Sequence, residues 1–234
     1  MVSSTREVSA VNLKKMLRIS IKLGLFIAFS SAAVWAKNLP QESPSVTISV
    51  FNDSGISSEI LKEAEKVSSQ VFEESGIHVD WVNCFPAEEA PGGEVACRQA
   101  AFPQHLHLRI VRRSLSLKDS TLGISYLLSD GTGCQADIFY EGIEKLRHET
   151  FVDPAIILGH VAAHEIGHLL LGNNSHSPWG IMRAHWNLGE LARANKGLLL
   201  FTKSQSHRMT EKLCVAVAGG KWPSASGTEL SAAE

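Results

Sequence analysis

This sequence predicts a mixed α/β fold: a four- to five-stranded sheet packed against two long helices, plus a C-terminal helix. Three observations lead there. Short runs of alternating apolar and polar residues recur between residues 46 and 143. Helical apolar stripes occupy residues 57–75, 154–171 and 203–217. The 234 residues are 44% hydrophobic and 20% charged, enough for one real core and too apolar for a disordered chain.

The N-terminus stands outside that core. Lys14, Lys15, Arg18 and Lys22 precede the apolar run LGLFIAFSSAAVW at 23–35, and Val34 and Ala36 supply small residues at the −3 and −1 positions. This order of basic, apolar and small residues predicts a signal peptide over 1–36 with cleavage after Ala36. Thirteen mostly apolar residues, interrupted by Ser30 and Ser31, fall short of the ~20 that span a bilayer, so no stable membrane span is expected after cleavage. The protein is therefore expected to be secreted or periplasmic, with its folded domain at 37–220 and a flexible tail at 221–234.

The elements follow in order. VTISVFND (46–53) alternates and reads as a strand. SSEILKEAEKVSSQVFEES carries Ile60, Leu61, Ala64, Val67, Val71 and Phe72 on one stripe, with Ser57 or Ser58 to cap it and Gly76 to end it. IHVDWVNC (77–84) and HLHLRIVRR (105–113) alternate again, the latter with Leu106, Leu108 and Ile110 on one face. His105 and His107 fall on the other face and are expected to meet solvent. The Pro-, Gly- and Glu-rich stretch 85–103 between them reads as a surface loop. LGISYLL (122–128) and QADIFYEGI (135–143) are further strands about the turn SDGTG. Helices from Pro154 to Leu171 and from Lys203 to Val217 complete the order.

Four cysteines in an exported chain favour disulfides. Cys84 and Cys97 bracket a loop and are the preferred pair, with Cys134–Cys214 as the second. Removing residues 1–36 takes away five of the 22 basic and one of the 24 acidic side chains, leaving a formal charge of −6. That balance excludes a phosphate-backbone binder, which needs clustered Lys and Arg.

The chemistry sits in AHEIGHLLLGNNSHSPWGIM, residues 163–182. Residues four apart lie one turn above each other on a helix face, so His164 and His168 can offer imidazole nitrogens to one ion. Glu165, about 100° round the helix, is set to reach a water on that ion as general base. Gly172 can end the helix with a left-handed turn that brings His176 back as third ligand, leaving the fourth position open. Glu190, on a possible helix NLGELARA, and His185 are the other candidates for that ligand. His160, a turn before His164, reads as a neighbour of the site.

HEIGHLLLGNNSH followed by GIM resembles the metzincin clan of zinc endopeptidases, whose pattern is HExxHxxGxxH with a later methionine in a tight turn. More closely, the chain resembles a divergent secreted bacterial branch of that clan. The resemblance implies a zincin-like fold, a Zn2+ cofactor, His164, His168 and His176 as ligands, Glu165 as base and Met182 as the Met-turn residue. It also implies a peptide or protein substrate held in extended form by QADIFYEGI as edge strand. The sequence departs from the pattern by one extra residue before Gly172 and one more before His176. His185 is a candidate oxyanion contact and Tyr140 a candidate hydrogen-bond donor to the transition state. The reading is a zinc endopeptidase, with a zinc- and peptide-binding protein that does not cut as the alternative.

Overall fold

The computed structural model describes residues 43–84, 97–113, 121–217 and 231–233. The expected signal segment 1–36, most of the loop 85–103 and most of the tail 221–234 lie outside them.

The fold is mixed α/β. Five strands, β1 (Ser45–Asn52), β2 (His78–Cys84), β3 (His105–Val111), β4 (Gly123–Leu127) and β5 (Gln135–Phe139), join a three-residue β6 (Ser231–Ala233) in the order β2-β1-β3-β5-β4-β6. β2, β1, β3 and β5 are parallel, β4 runs antiparallel to β5, and β6 antiparallel to β4. Parallel neighbours need a crossover. Helix α1 (Ser58–Glu73), capped by the Ser57 side chain, carries the chain from β1 to β2.

Register places apolar residues side by side across the sheet. Ile48 lies between Trp81 and Leu106, and Leu108 and Ile110 pair with Ala136 and Ile138. These residues form one core with α1 and with α3 (Pro154–Leu171). Asp153 caps α3 by accepting from the Ala155 N–H, with Pro154 at the first helical position. Helix α3 is buried on nearly every side, as an all-round apolar helix must be. It is the one helix among the described residues apolar and long enough to cross a membrane, and it lies inside the fold.

Two further helices extend the expected set: α2 (Tyr140–Thr150) and α4 (Leu188–Ala194), before the C-terminal α5 (Lys203–Val217). Here one expectation is corrected. QADIFYEGI is strand only to Phe139, and Tyr140 begins α2. That helix was hidden because only Ile143 is fully buried on it, so it carries no continuous apolar stripe. A second correction concerns the edge. β5 is interior, between β3 and β4, and β4 in turn lies between β5 and the short β6.

Cys84 and Cys97 form a disulfide with Cα atoms 5.7 Å apart, as expected. Cys134 and Cys214 do not pair and are half-buried free thiols. Cys134 leads into β5 against the Phe102 backbone, while Cys214 rides on α5. His105 and His107 are half-buried rather than solvent-facing; the His105 ring nitrogen Nε2 bonds the buried Ser49 hydroxyl at 2.8 Å.

Candidate metal centre and cleft

Helix α3 presents His164 and His168 one turn apart, both buried. The helix ends at Gly172, whose N–H donates to His168 O at 2.8 Å. Its φ of 83° and ψ of −163° differ from the expected left-handed cap and lie in a region essentially restricted to glycine. A Cβ there would also stand 3.0 Å from the Gly131 carbonyl oxygen. Asn174 then takes the left-handed conformation, φ 56°, and the chain doubles back. The reversal carries His176 to the other two histidines.

The three Nε2 atoms converge. His168 Nε2 lies 3.0 Å from His164 Nε2 and 3.1 Å from His176 Nε2, and the three ligand atoms are all within 4.8 Å of one another. The far ring nitrogens are held. His164 Nδ1 donates to Ile181 O at 2.7 Å, because a carbonyl oxygen only accepts. In the neutral ring this leaves the Nε2 lone pair facing the other imidazoles. His168 Nδ1 and the buried Ser175 Oγ hydrogen-bond at 2.7 Å.

Burial keeps these rings neutral. It depresses His164 to about 4 and, with the neighbouring His164 and His176 adding to it, His168 to about 2. His176 is lowered by partial burial and then by His185. Nitrogens around a tetrahedral zinc at about 2.0–2.1 Å lie about 3.3 Å apart, so the donor set fits such an ion closely. Three neutral Nε2 atoms packed this near one another gain from a cation between them.

Glu165 packs against β4 and shares the cleft with His164. Burial raises its carboxyl to about 8, opposed by the Ser125 hydroxyl, which bonds Oε2 at 2.7 Å and the Glu165 carbonyl at 2.8 Å. Gly123, two residues back on the same strand face, leaves the space the carboxyl fills: a Cβ there would sit 2.6 Å from Oε1.

Met182 is fully buried, and its sulfur lies 2.8 Å from where a Cβ on Gly167 would be. Glycine at 167 thus lets the 180–182 turn press on α3 between the two helical histidines. Ile181 O also accepts from Trp186 Nε1 at 3.1 Å, which ties this segment to His164.

A cleft of about 450 Å3 opens beside Glu165. His164, Glu165 and Val161 form its floor, and Thr121–Gly123 one wall. Gly142, Lys145, Leu146 and Glu149 of α2 form another, and Arg183–Trp186 the rim. A second depression of about 380 Å3, lined by His176, lies beyond and shares Arg183, Ala184 and His185 with the first. The exposed His185 therefore stands between the two.

The remaining candidates fall elsewhere. Glu190 accepts from Arg183 at 2.9 Å and from the Asn187 N–H at 3.0 Å, closing a capping box on α4. His160 is buried, its Nδ1 donating to Ile156 O at 2.8 Å. Tyr140 does not line the cleft. The cleft face of α2 runs through 142, 145, 146 and 149, and position 140 lies about 200° round from 142. Ser125, Ser175, Gly123 and the α2 wall escaped the sequence reading, since none belongs to a spaced motif.

No protein-family model matches the sequence, and no curated protein does. Among solved structures, the chain is similar to archaemetzincin from Methanopyrus kandleri at 15% identity and a TM-score of 0.44. That match covers 75% of this chain and 99% of the other.

Proposed function

We propose that this chain is an exported zinc endopeptidase. The observation that carries the reading is the convergence of three imidazole Nε2 atoms, one of them on His164, which lines a cleft together with the buried Glu165. His164, His168 and His176 would hold the zinc, which when bound lowers the pKa of water and polarises a carbonyl.

The chain's own residues do the rest. Ser125 anchors Oε2 of Glu165, which leaves Oε1, against Gly123, to take a proton at the cleft floor. In its ionised form Oε1 can accept a proton, and because burial favours the protonated carboxyl the group can then hold that proton until a leaving amine takes it. Ser175 and Ile181 O fix the two helical imidazoles. Met182 packs against Gly167 on the same helix, and His185 on the rim would donate to developing negative charge. The cleft's volume of about 450 Å3, between α2 and the residues leading into β4, suits a peptide segment. The Cys84–Cys97 disulfide and the signal-like segment 1–36 support export.

The test is cleavage of a mixed peptide library by the full chain, with and without a chelator. Chelator-sensitive cleavage that Glu165→Gln abolishes, with metal content intact, is expected. Stoichiometric metal with no cleavage of any peptide would favour the zinc- and peptide-binding alternative.

A further inference from the structure

The turn that tethers His164 also carries a cation. Ile181 O accepts from His164 Nδ1, and two residues on the Arg183 N–H closes the turn on Gly180 O at 3.2 Å. Arg183 lines both depressions, so it stands between the cleft of His164 and Glu165 and the hollow beside His176.

Its guanidinium is fixed in place but only partly used. Nη1 donates to Glu190 Oε1 at 2.9 Å, and Glu190 Oε2 is itself held by the Asn187 N–H at 3.0 Å inside the capping box of α4. Glu190 is buried, whereas 38% of the Arg183 side chain remains exposed. Among the described residues, no hydrogen bond engages Arg183 Nε or Nη2. Those two nitrogens form the edge of a guanidinium that offers parallel N–H donors to both oxygens of a carboxylate.

The other cation on the cleft wall is Lys145, which is exposed on a flexible stem. It lies one helical turn from Glu149, which lines the same cleft and offsets its charge. Arg183 is thus the cation whose position is set before a ligand arrives, which lowers the ordering cost of using it.

We infer that Arg183 is a specificity residue whose Nε–Nη2 edge takes a carboxylate of the substrate, either an acidic side chain or a free C-terminus close to the cleaved bond. The consequence for cleavage rests on the peptidase reading; the binding preference does not.

Binding and cleavage are measured separately on the full chain supplied with zinc, with metal content determined for each protein. The probes are alanine-rich hexapeptides with an uncharged fluorophore at the N-terminus. One amidated set carries glutamine at each position in turn, a second carries glutamate there, and a third is the glutamine set with a free C-terminal carboxylate. Binding is read by anisotropy in a Glu165→Gln background, and kcat/KM in the chain that keeps Glu165. With Arg183 intact, the preferred carboxylate should tighten binding about fivefold over its neutral counterpart and raise kcat/KM by about the same factor. The set that shows the preference identifies the source of the carboxylate. Arg183→Met should reduce the preference to below about twofold, and Arg183→Lys should keep its direction at smaller size, because the charge stays and the fork is lost. Added salt should shrink it. Equal binding of all three sets with Arg183 intact would overturn the inference. So would a preference that both Arg183 variants leave unchanged, since it would then belong to the metal or to Lys145. An Arg183-dependent carboxylate preference in a chain that cleaves nothing would uphold the inference and refute only the peptidase reading.

Discussion

Adding one methyl group at Gly123 reports directly on Glu165. A Cβ at that position would lie 2.6 Å from Oε1, 2.7 Å from Cγ and 2.8 Å from Cδ of Glu165. An ordinary contact begins near 3.4 Å, so in Gly123→Ala the carboxyl must retreat by about 0.8 Å. A misplacement of about 1 Å at a reacting group costs about 10²-fold in rate, or about 2.7 kcal/mol of barrier. The same crowding should cost about 1–3 kcal/mol of stability, a fall in Tm of about 2–12 °C for a domain of this size. The assay is kcat on the best library peptide, with bound zinc measured by mass spectrometry and Tm by calorimetry. The expected pattern is kcat down about a hundredfold with zinc content unchanged. A kcat within twofold of wild type would refute the placement of Glu165 at the reacting atoms, and loss of zinc in place of rate would refute the separation of base from ligands.

Three more perturbations follow from the same geometry. Ser125→Ala removes a hydrogen bond to a buried carboxyl, worth about 1.5–3 kcal/mol when the partner is charged, so kcat should fall at least about tenfold with KM unchanged. Met182→Ala should lower stability by about 2–5 kcal/mol and Met182→Leu by less than about 1.5 kcal/mol, read by urea unfolding of the zinc-loaded chain. In metal-free protein, the depressed histidines favour folding above their unfolded value of 6.5 and lose that contribution as pH falls through about 4 and about 2. Glu165, raised from 4.5 to about 8, acts in the opposite sense and loses its contribution as pH rises through about 8. Stability of the metal-free chain should therefore peak near pH 6.5, and Glu165→Gln should remove the alkaline decline in a pH series of thermal melts.

The parts of this molecule legible in its sequence are those written in periodicity. Ile48, Leu106, Leu108 and Ile110 alternate because one sheet face is buried, and that face is where the core lies. His164 and His168 are four apart because an α-helix brings such residues into line. The reversal at Gly172 is readable in outline, though its backbone is extended in ψ and not left-handed, and a side chain there would meet the Gly131 carbonyl of a distant turn.

What stayed hidden depends on tertiary neighbours. Ser125 lies 40 residues before Glu165, and Ser175, seven residues after His168, lies beyond the end of that helix at Leu171. Tyr140 was read as strand because Gln135–Phe139 alternates up to it, whereas α2 forms from the mainly polar run that follows and turns Tyr140 from the cleft. Glu190 had a plausible distance from His168, but its carboxylate is committed to the α4 cap and to Arg183. The interior place of β5 likewise comes from strand order, which alternation does not encode.

The most direct measurement is X-ray absorption at the zinc edge on the purified full chain, with metal content determined on the same sample and on His176→Ala. One zinc per chain, three imidazole ligands and one non-protein ligand are expected, with His176→Ala losing stoichiometric metal. A fourth protein ligand, a set lacking His176, or no stoichiometric metal would contradict the centre described.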